Sequence, residues 1–295
     1  MIIDVHTHLP YHKIFPPAFV DNIAQGLTGE DAKKAAFIKK LVKANLSDET
    51  GDELVKLMDD CRVEKSVLLI ADFGYAMGEA ELSIEEIYDL HYEVIKNHRD
   101  RFLLFTGVDQ RRGQSGLDLF ERSITTGWSK GLKLYPPCGF ELDDPELFPF
   151  YELCDQYNLP VLSHTGPSFS SLRTERKYPD SILKVSEQFK GVNFILGHGG
   201  ALNWEANVDV AERRKNVFLE ISTYQAYESD SKVLGDRFRY FFDRIPDQIM
   251  FGSDWPMFKL GSTLQEIISS ADSEMLSEKE REKLFYENAK CLLNL

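Results

Sequence analysis

Two histidines near the start of the chain have the spacing of a metal-binding pair. His6 and His8 follow a short apolar run and are separated by one residue. Side chains alternate along a strand, so both imidazoles are expected on one face, with Asp4 on that face one layer deeper. Imidazole nitrogens are suitable ligands for Zn²⁺, Mn²⁺ or Fe²⁺. Two hydrogen-bonded core histidines would give the same pattern, so other residues must decide.

Three further polar residues come at the ends of apolar runs later in the chain. His164, His198 and Asp254 each follow such a run directly. If the runs are parallel strands of one closed barrel, their carboxyl ends converge on the face that carries active sites. We therefore predict that His6, His8, His164 and Asp254 hold one divalent cation, with His198 beside it.

The remaining histidines lack this placement. His91 falls on the apolar side of a predicted helix and is expected to pack against the core. His98 lies in the last turn of the same helix, where the helix dipole favours its charged form. His12 is expected on the surface or in a lid. None of the three is assigned to the metal.

The order of apolar and amphipathic segments predicts the frame that positions these residues. Eight short runs rich in β-branched residues predict strands, and segments with helical periodicity lie between them. The predicted strands are Ile2–Val5, Lys65–Ile70, Phe102–Val108, Gly131–Leu134, Leu159–Leu162, Val192–Leu196, Val217–Ile221 and Gln248–Phe251. The predicted helices include Ser83–His98, Pro145–Tyr157, Tyr178–Phe189 and Thr263–Ala271. Strands alternating with helices predict a (β/α)8 TIM barrel, with a doubly wound open sheet as the alternative.

One segment departs from this alternation. Leu9–Asp48 is too long for a strand-to-helix loop, and Lys33–Ala44 within it has a helical pattern. We predict an insertion after strand 1, over about residues 9–48, that forms a lid or wall at the barrel mouth. No linker or internal repeat interrupts the chain, so residues 1–295 are predicted to form a single domain.

The composition limits the class of partner. Hydrophobic residues make up 43% and charged residues 28% of the 295 residues, as in ordinary soluble proteins. A net charge of −14 argues against nucleic acid as a partner. A small anionic substrate stays compatible, because a bound cation dominates the electrostatic field in its own site.

No apolar run reaches the roughly 18 residues of a membrane span and no leader pattern is present, so we expect a cytoplasmic protein without a membrane partner. A homodimer is left open. Four scattered cysteines are expected to be free thiols: Cys61, Cys138, Cys154 and Cys291.

Several short motifs, in their order along the chain, resemble those of the amidohydrolase superfamily. They are Asp4-Val-His6-Thr-His8, Gly131-Leu-Lys133-Leu-Tyr-Pro136, His164-Thr-Gly166, Gly197-His198-Gly199-Gly200 and Phe251-Gly-Ser-Asp254-Trp-Pro256. The set is similar to the amidohydrolase-related branch, which includes aminocarboxymuconate-semialdehyde decarboxylase, resorcylate decarboxylases and several lactonases. Tyr286–Lys290 resembles the C-terminal helix of that branch, and Leu9–Asp48 is the least similar stretch.

The resemblance implies roles for individual residues. His6, His8, His164 and Asp254 match the metal ligands of the branch, and His198 matches a histidine that polarises the substrate or assists proton transfer. Asp254 and His198 are therefore the catalytic candidates, Asp254 also as general base. A cation lowers the pKa of bound water toward neutrality, and a nearby carboxylate can accept its proton. We expect one divalent ion, Zn²⁺ first and Mn²⁺ or Fe²⁺ as alternatives.

Lys133 has two interpretations. Some binuclear members carry a carbamylated lysine at this place that bridges two metals, whereas apparently mononuclear relatives have the same setting without modification. We favour an unmodified Lys133 that neutralises a substrate carboxylate. Further residues after the strands are predicted to contact substrate. Asp4 is predicted to lie behind the metal ligands as a carboxylate that orients them or has a structural role. The predicted contacts are Tyr135, Arg111, Ser222, Tyr224 and Trp255.

Three functions are compatible with these residues. The favoured one is a metal-dependent hydrolase that activates water against a lactone, ester or amide of a small carboxylated substrate. The alternative is a non-oxidative decarboxylase of an aromatic or muconate-type acid, and a non-catalytic metal-binding barrel comes last. Hydrolysis is favoured because several decarboxylases of the branch replace the first strand-1 histidine with glutamate, whereas this chain keeps His6.

Overall fold

Eight parallel strands form the sheet of this protein. The computed structural model describes residues 1–29, 31–172, 178–199, 201, 203–272 and 275–295. The strands pair in chain order, each with the next. They are β1 (Ile3–Thr7), β2 (Lys65–Leu69), β3 (Phe102–Gly107), β4 (Ser129–Leu134), β5 (Val161–His164), β6 (Phe194–Gly197), β7 (Val217–Glu220) and β8 (Ile249–Met250). All eight overlap the predicted runs.

The last strand returns to the first and makes the sheet a barrel. The backbone N–H of Val5 donates to the carbonyl of Phe251 at 3.1 Å, and that of His8 donates to the carbonyl of Trp255 at 2.7 Å. The N–H of Asp254 donates in turn to the carbonyl of His6 at 2.8 Å. The prediction of a (β/α)8 barrel is confirmed, and an open sheet is excluded because β8 lies against β1. The same bonds bring two segments of the predicted metal site side by side.

Helices separate the strands, as the alternation predicts. Helix α5 begins after Ser83, whose side chain accepts from the N–H of Glu86 while the Glu86 carboxylate accepts from the N–H of Ser83, a capping box that stabilises the first turn. The helices are α1 (Pro17–Thr28), α2 (Ala32–Asn45), α3 (Asp52–Cys61), α4 (Gly74–Met77), α5 (Ile84–Asn97), α6 (Gly113–Thr125), α7 (Phe148–Tyr157), α8 (Asp180–Gln188), α9 (Trp204–Arg213), α10 (Tyr224–Tyr227), α11 (Ser231–Arg244), α12 (Leu260–Ser270), α13 (Glu278–Glu282) and α14 (Asn288–Leu293). None of the helices in the described ranges is both long enough and apolar enough to span a bilayer.

The segment after β1 contains two helices where the sequence predicts one. Helix α2 covers the predicted stretch, and α1 precedes it, starting with Pro17 in its first turn. Proline suits this place because its missing N–H would have no partner in a first turn, a signal that could have revealed α1. Side chains from both helices, including Phe19 and Val42, line a cavity at the barrel mouth. The segment thus forms part of the cavity wall.

Alternation along the strands separates two buried clusters. One contains Phe105, Leu162, Ile195 and Met250 together with residues of α14. The other contains the intervening strand residues, such as Leu104, and the helices around the barrel. Strands β2, β3, β5, β6 and β8 therefore bury apolar side chains on both faces, as expected for a parallel sheet covered by helices. Buried polar side chains in the barrel are concentrated toward the carboxyl ends of the strands.

His91 is a buried histidine that does not belong to the predicted set of metal ligands. It lies in α5 and is fully buried, and its Nδ1–H donates to the Ile87 carbonyl at 2.7 Å. Its Nε2 has no hydrogen-bond partner among the described residues. Burial lowers the pKa of His91 from the usual 6.5 to about 4, so the unfolded chain takes up a proton first as the pH falls.

We predict that His91 makes folding pH-dependent in a defined window. Its contribution is fully present above pH 6.5 and is lost between pH 6.5 and 4. The loss approaches about 3 kcal/mol at the lower end. Urea unfolding of wild type and His91→Leu at intervals across this window should show a shallower fall in the free energy of unfolding for the variant. Parallel curves would contradict this role for His91.

Candidate metal centre and substrate cavity

Three of the four predicted metal ligands converge at the barrel mouth. Nε2 of His6 lies 3.5 Å and Nε2 of His8 lies 3.6 Å from Oδ1 of Asp254. Ligand atoms about 2.1 Å from one ion are separated by about 3.0–3.5 Å, so the observed spacing suits a single cation. The donors, two imidazoles and a carboxylate, are those of zinc, manganese and iron sites.

The second nitrogen of each histidine is already engaged, which orients the ring. Nδ1 of His8 lies 2.9 Å from the carbonyl of Leu69, and because a carbonyl only accepts, Nδ1 carries the proton. Nδ1 of His6 lies 2.8 Å from Oε1 of Glu220 and donates to that carboxylate. Both Nε2 atoms therefore keep a lone pair. A carboxylate–histidine pair of this kind fixes the tautomer and makes the imidazole a stronger ligand.

Glu220 is the central residue that sequence reasoning did not assign. It ends β7 and is completely buried. Its Oε1 also accepts from the N–H of His198 at 2.5 Å and from Oγ of Ser222 at 2.8 Å, and its Oε2 accepts from the N–H of Ser222 at 2.7 Å. A charged residue within a predicted buried strand was the available signal, because glutamate is almost never fully buried unless it is paired.

His198 is held in one tautomer by the same carboxylate. Oγ of Ser222 donates to Glu220, so it accepts from Nδ1–H of His198, 2.6 Å away. Nε2 of His198 is left as a proton acceptor. The ring centroids of His6 and His198 are 4.5 Å apart, and both side chains line the cavity. His6, His198 and Glu220 also form a second group whose ligand atoms lie within 4.8 Å of one another.

His164, the fourth predicted ligand, is close by but belongs to neither group among the described residues. Its Nε2 lies 2.9 Å from the carbonyl of Pro167 and therefore carries the proton. Its ring centroid is 4.6 Å from that of His198 and 4.3 Å from that of Tyr135. It lines the same cavity at the end of β5.

Two candidate catalytic residues have an unusual backbone conformation. His198 and Asp254 both have φ of 59°, in the left-handed region that most residues avoid. Such conformations cost about 1–3 kcal/mol and persist where the surrounding structure enforces them, commonly at active sites. Here two hydrogen bonds hold the left-handed conformations. The N–H of Asp254 donates to the carbonyl of His6, and the N–H of His198 donates to the Glu220 carboxylate.

Two motif glycines make room for these side chains. A Cβ at Gly252 would lie 2.4 Å from Oε2 of Glu220 and 2.9 Å from Cβ of His6. A Cβ at Gly166 would lie 2.6 Å from Cβ of His198. Any other residue at either place would displace the cluster. Gly200 of the Gly197–Gly200 motif lies outside the described residues.

Burial sets the electrostatics of the centre. It lowers the pKa of His6 and of His198 well below the usual value, helped by Lys133 and His6 respectively, and lowers that of His8 to about 3. The same desolvation, with repulsion from Glu220, raises the pKa of Asp254 well above its usual value. A cation at this place would reverse the effect on Asp254, since its charge outweighs the other local charges. Neutral imidazoles facing a desolvated carboxyl are a donor set suited to a cation.

Lys133 brings a positive charge to the edge of this group. Its Nζ is 3.5 Å from Nε2 of His6, and the side chain is almost fully buried. Burial lowers its pKa to about 8, opposed by Glu220 and Asp254. Below this pH, Lys133 keeps the charge that a substrate carboxylate would meet.

A cavity of about 1230 Å³ opens above the metal group. Tyr135 and Trp255 lie on its wall, as does Lys133. Its sides are largely aromatic and apolar, with rings contributed by the segment after β1 and by several loops. Those rings are Phe15, Phe19, Phe73, Tyr135, Phe169, Tyr227, Trp255 and Phe258.

The other predicted substrate contacts are engaged inside the protein. The guanidinium of Arg111 donates to the Asp109 carboxylate at 2.7 and 2.5 Å and to the Cys138 carbonyl at 2.9 Å. Ser222 bonds His198 and Glu220, as described. Tyr224 is fully buried and stacks on Phe238 of α11 at 6.0 Å. Arg111, Ser222 and Tyr224 are not among the described residues that line the cavity, so their contact with substrate stays a prediction. The Tyr224 hydroxyl has no hydrogen-bond partner in the described ranges.

Asp4 sits beneath the centre and joins the first and last strands. Its Oδ1 accepts from the N–H of His6 at 3.1 Å and from that of Ser253 at 3.0 Å. Burial raises the pKa of Asp4 to about 7, although these hydrogen bonds oppose the shift.

We predict that Glu220→Gln weakens metal binding without unfolding the barrel. The glutamine NH₂ would replace Oε2 and face the N–H of Ser222, two donors in contact, so the side chain would shift and release His6. Loss of such an outer partner typically costs 10- to 100-fold in metal affinity. Competition with a fluorescent chelator measures the change in affinity for Zn²⁺ and Mn²⁺.

Glu187→Gln is the matched control, since Glu187 is an exposed residue that pairs with Lys190 on the surface. It should bind metal as wild type does. Equal affinities for all three proteins, with circular dichroism unchanged, would show that Glu220 does not orient His6.

Comparison with known proteins agrees with this architecture. The chain matches the amidohydrolase family model over residues 3–295. No curated protein matches it in sequence. Among solved structures, an uncharacterised TIM-barrel protein from Bordetella bronchiseptica is 19% identical with a TM-score of 0.71, covering 99% of this chain and 98% of that one. A dihydroxybenzoic acid decarboxylase from Polaromonas, solved with manganese and 2-nitroresorcinol, is 17% identical with a TM-score of 0.65 over 99% and 97% of the two chains.

A third solved structure has the same fold and also contains manganese. The 5-carboxyvanillate decarboxylase from Novosphingobium aromaticivorans is 15% identical, with a TM-score of 0.70 over 100% of this chain and 97% of that one. At these identities the structures support the fold, while the family model covers nearly every residue, from β1 to the end of the chain. The protein belongs to the amidohydrolase family.

Proposed function

We propose that this amidohydrolase-family enzyme is a metal-dependent, non-oxidative decarboxylase of hydroxylated aromatic acids. The observation that carries the proposal is a cavity with aromatic walls that ends on His6, His8 and Asp254, with the ammonium group of Lys133 beside them. An aromatic acid has the matching parts, a flat apolar ring and a carboxylate. The sequence alone favoured hydrolysis, and the aromatic lining of the cavity changes that preference.

The cavity walls are suited to hold an aromatic ring. Phe19 packs against Phe73 and Phe169 with ring centroids 5.2 Å away in both pairs, and Phe73 packs against Tyr135 at 4.9 Å. Aromatic side chains favour offset or edge-to-face contact with another ring.

Different charged groups bind the metal ion and the substrate carboxylate. His6, His8 and Asp254 would hold the divalent ion, with His164 close by. When bound, that ion supplies positive charge that polarises the oxygens of the substrate. Lys133 neutralises the carboxylate of the substrate below its pKa of about 8. Zinc was the first expectation, and manganese in two enzymes of similar fold makes both ions worth testing.

Decarboxylation needs a proton to take the place of carbon dioxide. The bond between the ring carbon and the carboxylate breaks, its electron pair stays on the ring, and a proton forms the new C–H bond. Because the bound ion would lower the pKa of Asp254, that residue is assigned to the metal, and His198 is assigned to deliver the proton to the ring carbon. His198, neutral and with a lone pair on Nε2, is suited to accept a phenolic proton.

A hydrolase is the second candidate, and two observations favour it. The chain keeps both strand-1 histidines, and His198, which lines the cavity, has an unprotonated Nε2. That nitrogen could accept the proton of an attacking water in place of that of a phenol. The two reactions release different products, so one assay separates them.

The test supplies Zn²⁺- and Mn²⁺-loaded protein with hydroxybenzoic acids and, separately, with lactones. We expect carbon dioxide release from an aromatic acid, and a fall of about 100-fold or more in kcat for His198→Asn with metal content unchanged, because His198 lies outside the group His6, His8 and Asp254. Measuring metal content together with kcat separates loss of chemistry from loss of the ion.

Asp236→Asn on the exposed face of α11 serves as the control and should keep full activity. Ring opening of lactones without carbon dioxide release would replace the proposal with the hydrolase. Stoichiometric metal without turnover of either panel would favour a metal-binding barrel that does no chemistry.

A further inference from the structure

The substrate cavity is larger than a single aromatic ring requires. Its volume of about 1230 Å³ exceeds the roughly 300–1,000 Å³ of pockets that enclose drug-sized molecules. A hydroxybenzoic acid has one ring and is smaller than such molecules. It would leave most of the cavity unfilled, so the remaining wall indicates what else the substrate carries.

A continuous series of aromatic contacts leads outward from the metal group. The ring centroid of Tyr135 lies 4.3 Å from that of His164, at the end of β5, and 4.9 Å from that of Phe73. Phe73 in turn lies 5.2 Å from Phe19 of α1, and Phe19 stacks on Phe15 at 4.7 Å. All five residues line the cavity. The wall that begins beside the metal group therefore reaches α1 without a break.

Helix α1 extends this wall with a stripe of apolar side chains. Phe19, Ile23 and Leu27 follow one another at intervals of four residues and all line the cavity. At a rise of about 1.5 Å per residue, the stripe is roughly 12 Å long. Exposure increases along it, from 8% for Phe19 to 70% for Leu27. Asp21 and Gln25 are also exposed on α1 but do not belong to the described cavity lining, and both are polar. The stripe thus leads from the buried part of the cavity toward solvent.

Neighbouring helices add apolar side chains to the same cavity. Val42 of α2 and Leu57 of α3 line it, and both are half-buried. Leu41, next to Val42, is 45% exposed and lies outside the described lining. Apolar side chains that remain half-exposed in a cavity release water when another apolar group covers them. A hydrocarbon is therefore the kind of group that this part of the cavity favours.

We propose that the substrate is an aromatic acid whose ring carries an apolar chain of several carbons, and that this chain lies along Phe19, Ile23 and Leu27. The carboxylate would face Lys133 and the metal ligands, so a substituent on the opposite side of the ring points away from the metal group. The stripe then recognises the chain by burial of hydrocarbon. This inference rests on the proposed aromatic-acid substrate and names a class within it.

The test measures binding and needs no turnover. Isothermal titration of Mn²⁺-loaded protein with 2-hydroxybenzoate and its 4-methyl, 4-propyl, 4-pentyl and 4-heptyl derivatives gives affinity as a function of chain length. Complete burial of a methylene strengthens binding about fourfold, and a chain covered on one side gains about twofold for each methylene. We therefore expect the pentyl derivative to bind about 30-fold more tightly than the unsubstituted acid. The heat capacity change of binding should become more negative as the chain lengthens, because apolar surface is buried.

Two variants locate the chain on α1. Ile23→Ser should reduce the gain in affinity from the propyl derivative onward. Leu27→Ser should reduce it only for the longer chains, because Leu27 lies about 6 Å further along the helix. Each reduction should be at least about threefold for the heptyl derivative. Leu41→Ser is the matched control, since it makes the same change at an exposed leucine outside the described lining, and it should keep the full dependence on chain length.

Three results would overturn the chain site. They are an affinity that does not depend on chain length, a dependence that persists in both Ile23→Ser and Leu27→Ser, and an equal loss in Leu41→Ser. Failure of the proposed reaction is distinguishable. A dependence that is lost in the α1 variants, without carbon dioxide release from any derivative, would refute decarboxylation alone. Carbon dioxide release without dependence on chain length would refute the chain site alone.

Discussion

The buried carboxylate of Glu220 holds the centre of this protein together. It accepts hydrogen bonds from the ring of His6, the backbone of His198 and both donors of Ser222. Through these contacts one side chain on β7 sets the tautomer of two histidines on β1 and β6. A fully buried carboxylate is stable only when such partners surround it, so the contacts that stabilise Glu220 also aim the metal ligands.

Around that carboxylate, several residues have unfavourable backbone conformations at positions where catalysis is expected. His198, Thr223 and Asp254 all have left-handed backbones, and Gly252 leaves space that the Glu220 carboxylate and Cβ of His6 fill. Elsewhere the described strands are lined with close-packed apolar side chains. This contrast follows from the fold, because a parallel barrel brings eight strand ends to one face and leaves that face free of packing demands. Left-handed residues elsewhere, such as Arg62 and Asn158, end the helices α3 and α7.

Much of this arrangement could be read from the pattern of residues. The positions of His6, His8 and Asp254 at the ends of predicted strands indicated that these residues converge. The alternation of side chains along a strand and the order of the strands determine which residues share the barrel mouth. The direction of side chains beyond the strands could not be predicted from the pattern, since Arg111 follows β3 and its guanidinium donates to Asp109. Glu220 was passed over because a strand pattern records apolar runs and gives no partner for a charge within them. The strain at Thr223 could not be predicted, since its residue type argues against that conformation.

The position of the bound ion tests this account most directly. Crystals grown with Mn²⁺ and measured near the manganese absorption edge locate the metal by its anomalous signal. The account predicts one peak per chain, within roughly 2.0–2.3 Å of Nε2 of His6, Nε2 of His8 and a carboxylate oxygen of Asp254, with Nδ1 of His6 still bonded to Glu220. A peak away from these atoms, or a second one bridged by a carbamylated Lys133, would contradict a single ion held by histidines that Glu220 orients.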